Sequence, residues 1–163
     1  MKLQVELGKD NSILRSVSES IKKHEIKQYI KLGQQMIKYI KDPKTGWVGI
    51  AAPQVWVNKR LIVVSLMHDW DDENFSTIMM FNPVILEKSE ETNIDKEWCL
   101  SLPGERGKVA RASAIKLMYT NEKWQEITMN LSMLPARIVQ HEIDHLDGIL
   151  FIDKLTQPWI LKN

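Results

Sequence analysis

With one cysteine in 163 residues, the chain can form no internal disulfide, which suits a reducing compartment. No apolar stretch approaches the ~20 residues of a membrane span; the longest, 61–67 (LIVVSLM), is far too short. The N-terminus (MKLQVELGKD) is broken by Glu6, Lys9 and Asp10, so it lacks the apolar core of a signal peptide. A formal net charge of +1 leaves no electrostatic footprint for nucleic acid or an anionic membrane. There is no internal repeat, no low-complexity tract and no Gly/Ser- or Pro-rich linker, so residues 1–163 read as one domain. What is present, 44% apolar and 26% charged residues, is the composition of a globular chain with a single substantial core.

Between residues 21 and 41 the apolar positions Ile26, Tyr29, Ile30, Gly33, Met36, Ile37 and Ile40 recur at helical spacing. Ser18 or Ser20 is expected to cap this amphipathic helix, and Asp42-Pro43 to end it. Stretches 60–66, 78–88, 114–120 and 126–132 are β-branched or alternating and read as strands. The acidic segment 68–74 (HDWDDEN) reads as a solvated loop; His68 and His24 receive no role. A second helix is signalled by Pro135 at its start and Gly148 after its end. The expected fold is α+β: a single domain with antiparallel strands around a central C-terminal helix, plus the N-terminal amphipathic helix.

That C-terminal helix carries His141-Glu142-Ile143-Asp144-His145, an HExxH sequence. Residues four apart share a helix face, so both imidazoles can reach one metal ion, with Glu142 placed to exchange a proton with a water there. Its neighbours Ile138, Val139 and Leu146 are apolar, so polar groups turned toward that core need a partner, and a metal supplies one. An active site needs a third protein ligand; Cys99 and any Asp or Glu are candidates, although a lone cysteine is more often a small buried hydrophobe.

Three segments, in order, together resemble the peptide deformylase family. Gly49-Ile50-Ala51-Ala52-Pro53-Gln54 is similar to the motif GxGLAAPQ, Glu97-Trp98-Cys99-Leu100-Ser101 to EGCLS, and Gln140–Leu146 matches QHExDHL throughout. Flanking stretches 55–64, 102–111 and 148–153 extend the likeness over roughly residues 12–153. The family removes the formyl group from the N-terminal methionine of new polypeptides. The resemblance implies that Cys99, His141 and His145 hold one divalent metal with water in the fourth position. Fe²⁺ is the usual ion in the family, and Zn²⁺, Ni²⁺ or Co²⁺ can replace it. It further implies that Glu142 moves the proton and that the Gln54 amide and the Leu100 N–H hold the oxyanion. Val48 and Gly49 would flank the substrate backbone, with Arg106, Leu134 and Ile138 at the methionine pocket.

Trp47, Trp56 and Trp98 stand where the family has glycine, and Trp124 falls near a turn glycine. Trp is a poor substitute wherever φ is positive or the backbone is approached closely. Two readings stay open: a gene in which UGA specifies glycine, or a divergent chain whose tryptophans line the site. The tryptophans also motivate a second functional reading, a module that binds nascent N-termini without turnover. HExxH alone supports a third, a zincin-type peptidase. As a deformylase, the chain would act on N-formylmethionyl peptides in the cytosol, or in an organelle after loss of a transit peptide. It would work as a monomer and touch ribosomes transiently, without binding nucleic acid or membrane. The last ten residues (KLTQPWILKN) offer little of a basic ribosome-docking helix.

Overall fold

The computed structural model describes residues 3–156. Seven strands are found: β1 (Gly49–Ala51), β2 (Leu61–Ser65), β3 (Thr77–Lys88), β4 (Thr92–Cys99), β5 (Leu102–Ala112), β6 (Ala114–Thr120) and β7 (Glu126–Ser132). Two α-helices accompany them, α1 (Ile26–Ile40) and α2 (Met133–Leu146). Five strands form one sheet in the order β1-β2-β3-β6-β7, while β4 and β5 pair separately as a hairpin. All these pairings are antiparallel.

The sequence of β2, LIVVS, is buried at every position, which places it between two layers. Because successive side chains alternate faces, Ile62 and Val64 pack with Ile138, Val139 and Leu146 of α2. Leu61 and Val63 point the other way, to Met36 and Ile40 of α1. The two helices therefore cover opposite faces of the sheet. A third cluster, including Leu14, Cys99, Leu102, Val109, Leu150 and Phe151, ties the hairpin to the segment after α2.

The α+β class and the central helix agree with the sequence. The β6 and β7 bounds coincide with the expected ones, and β2 and β3 lie within a residue of theirs. The start of α1 does not. A 3₁₀ turn at Lys23–Glu25 precedes the helix, and the Glu25 carboxylate, accepting from the Lys22 N–H at 2.8 Å, replaces the expected serine cap. Ser18 is instead buried, its N–H bonded to Leu146 O at 2.7 Å. Pro135 occupies the third position of α2 rather than the first, still within the turn whose N–H groups have no helical partner. Gly148, at φ +71°, ends the helix where a Cβ would sit 2.5 Å from Arg15 O. β1, β4 and β5 carry no periodic signal and were not expected. The expectation for the last ten residues falls mostly on 157–163, outside the described residues.

Candidate active site

α2 is buried along nearly its whole length, so its polar residues must be satisfied by one another or by a ligand. His141 and His145, one turn apart, face Cys99 at the end of β4. The three ligand atoms lie within 4.8 Å of one another, and Cys99 Sγ is 3.3 Å from His145 Nε2. A soft thiolate with two imidazoles is a donor set for a borderline transition metal. Two buried polar atoms alongside, Glu142 Oε2 and His145 Nδ1, have no protein partner. The residues present therefore fit a metal.

Glu142 sits against β1, and the contact explains Gly49. A Cβ at that position would lie 2.3 Å from Glu142 Oε1, so only glycine leaves room for the carboxylate. Burial pushes the Glu142 carboxyl up to about 7. Gln54 is fixed from both ends: its Oε1 accepts from Ala51 N–H at 2.9 Å, and its Nε2 donates to Ser101 Oγ at 3.0 Å. That same nitrogen is 3.7 Å from Cys99 Sγ, which aims the amide at the centre.

Behind these three donors lies a charge network that sequence reasoning missed. Glu97 Oε2 is 2.9 Å from His141 Nδ1, orienting the ring so that Nε2 faces the centre. Arg111 grips the same carboxylate with Nε and Nη2, both at 2.8 Å, and Arg137 donates to it at 2.7 Å. Arg111 also pairs with Asp144, which Lys154 reaches at 2.8 Å. Burial opposes the charge on Glu97, yet the bonds from Arg111 and His141 hold its carboxyl far below the usual range. Burial likewise opposes a charged His141, but bonds to Cys99 and Glu97 raise its pKa well above the ordinary value; burial, aided by the charges of His141 and Arg111, lowers that of His145. The available signal was the unusual load of charge on an otherwise apolar helix.

The cleft over this centre is lined by Val48, Gly49, Gln54, Cys99, Leu100, Leu134, Ile138, His141 and Glu142, so most of the expected site residues meet there. His145 lies beneath, almost wholly buried. Arg106 is not among the cleft residues; it is exposed on β5. Trp47, Trp70, Lys96, Trp98 and Arg137 join the lining instead. Trp70, in the segment read only as a solvated loop, stacks on Trp98 at 5.8 Å between ring centroids.

Two HExxH imidazoles and a thiolate beside a buried carboxylate, at the floor of an open cleft, make up the equipment of a metal-dependent hydrolase. A family model for polypeptide deformylase matches residues 4–159, and the chain belongs to that family. It is 44% identical over 116 residues to a peptide deformylase of Prochlorococcus marinus strain NATL1A, a match covering 71% of this chain and 56% of the relative. The chain thus spans little more than half the length of the first curated relatives it matches. Strain MIT 9312 has a peptide deformylase 37% identical over 157 residues, covering 96% of this chain and 75% of the relative. Among solved structures, the Met-Ala-Ser-bound class I type b peptide deformylase of Acinetobacter baumannii superposes with a TM-score of 0.87. It is 36% identical, over 95% of this chain and 99% of that one. A probable peptide deformylase of Synechococcus phage S-SSM7 gives 0.83 at 37% identity, over 94% and 99%.

Proposed function

We propose that the chain is a peptide deformylase: a metal-dependent hydrolase that removes the formyl group from N-formylmethionyl peptides and releases formate. The observation that carries this reading is the convergence of Cys99, His141 and His145 with a buried Glu142 carboxyl, whose Oε2 has no hydrogen-bond partner among the described residues, under a cleft. The Met-Ala-Ser complex of the Acinetobacter relative supports a short methionyl peptide as the occupant of that cleft.

In this reading Cys99, His141 and His145 hold one divalent ion, Fe²⁺ in the native protein, with Zn²⁺, Ni²⁺ or Co²⁺ accepted by the same donors. The ion supplies Lewis acidity that makes a water nucleophilic near neutral pH. Glu142 accepts the proton of the attacking water and returns it to the departing methionyl amine, a role suited by a carboxyl raised toward neutrality. The Gln54 Nε2 amide and the Leu100 backbone N–H donate to the oxygen that gains charge as the formyl carbon turns tetrahedral. Val48 and Gly49 flank the peptide backbone, while Leu134 and Ile138 give the methionine side chain an apolar wall. One catalytic domain, acting as a monomer in the cytosol on chains emerging from ribosomes, completes the proposal.

The test is product identity. Formate release from a formyl-methionyl tripeptide, with no cleavage of internal peptide bonds, supports the deformylase; tight binding without formate would point to a binding module. Two variants probe the geometry. Gln54→Ala is expected to lower kcat by about 10²–10³-fold, the usual effect of losing one oxyanion donor, with KM changing little. Gly49→Ala is expected to cost about 10²-fold, because its methyl displaces the Glu142 carboxylate, while one metal ion per chain is retained. Formate assays and metal analysis read both.

A further inference from the structure

Apart from glycine, four described residues adopt a positive φ: Trp56 (66°), Asn82 (49°), Trp124 (59°) and Met133 (57°). Asn is at home in this region, and Asn82 is further tied by its side chain to the backbone N–H and C=O of Ile21. For tryptophan the conformation is strained, yet tryptophan supplies two of the four. Each sits in a slot whose backbone calls for glycine. Trp56 closes the 3₁₀ turn Ala52–Val55 in the left-handed conformation of a helix-ending glycine, its ring 62% exposed and gaining little from packing. Trp124 is the left-handed residue that ends the turn joining β6 to β7, with its N–H bonded to Asn121 O at 3.0 Å.

Trp98 belongs with them by a different observation. The pairing of β4 with β5 shifts register between Glu97 and Cys99, with the extra residues 103–106 on β5, so Trp98 stands alone opposite that irregularity and also lines the cleft, a place where a strand glycine lets another group come close. Its half-exposed ring stacks on Trp70 at the cleft. The chain is also short of the missing residue, with seven glycines in 163 where about 7% is usual. One change of codon meaning exchanges these two residues at many sites together: UGA, read as tryptophan in one code and as glycine in another.

We propose that positions 56, 98 and 124 are glycine in the protein as its cell makes it, with UGA read as glycine at each, and that glycine at 98 widens the mouth of the cleft. The clause on the cleft rests on the proposed function; the rest does not.

The experiment reads the gene's codons at 56, 98 and 124 and the masses of peptides from the endogenous protein. UGA at all three with glycine in the peptides is expected; UGG at any of them, or tryptophan in the peptides, overturns the proposal. Independently of activity, Trp56→Gly is expected to raise the thermal midpoint by about 3 °C through relief of backbone strain, and a lower midpoint would remove that support. For the cleft, Trp98→Gly is expected to lower KM for a formyl-methionyl tripeptide several-fold. An unchanged KM overturns that clause. No formate from any metal-loaded variant would instead sink the proposed function, leaving the codon and mass results standing.

Discussion

On the proposed reading, Glu142→Gln is expected to lower kcat for formate release by about 10²–10⁴-fold, while the protein still binds one metal ion per chain. The isosteric amide keeps the shape that fits against Gly49, where even one added carbon would clash, so the cleft is preserved. What it loses is the ability to take a proton and give it back. None of the three metal donors is touched, so metal content and thermal midpoint stay near those of the parent. That split separates a proton-transfer role from a structural one: a merely structural Glu142 would tolerate the amide and keep most of its turnover. Formate assay and metal analysis on the same sample decide between them.

Glu97→Gln is expected to destabilise the fold strongly. The Glu97 carboxylate is buried and shared among Arg111, Arg137 and His141. Removing its charge leaves Arg137 without its carboxylate partner and Arg111 with only Asp144. Breaking a buried ion pair from one side costs about 3–5 kcal/mol, which for a chain of this size lowers the thermal midpoint by roughly 6–20 °C. The same change frees the His141 ring, so metal affinity falls by about 10–100-fold. A scanning calorimetry trace and a metal titration check the two effects separately. A midpoint shift under about 2 °C would mean that the network is not holding α2 against the β4–β5 hairpin.

The sequence revealed most about the site where chemistry and spacing coincide. His141, Glu142 and His145 are readable because an i, i+4 pair on a helix has one geometric meaning. Cys99 needed the family resemblance, since nothing local distinguishes a ligand cysteine from a buried one. Glu97 and Arg111 were invisible as partners, being fourteen residues apart on two strands with no periodic signal. β1 is only three residues long and β4 is largely polar, so neither shows the continuous apolar run that exposed β2 or the alternation that exposed β6. Arg106 is placed at the pocket only by the family resemblance, whereas on β5 it is exposed and outside the cleft lining. The serine cap of α1 failed because the helix begins later than its periodicity suggests, after a 3₁₀ turn at Lys23–Glu25 whose entry is closed by the Glu25 carboxylate on the Lys22 N–H.

On the proposed reading, Cys99, His141 and His145 together hold the ion on which hydrolysis depends. This is tested most directly by adding Co²⁺ in steps to metal-free protein under anaerobic conditions, following the visible spectrum and formate release together. Turnover and a thiolate-to-metal absorption band should rise in parallel and saturate at one ion per chain, and Cys99→Ser should lose the band. Turnover that is independent of added metal, or a band that survives in Cys99→Ser, would contradict the account.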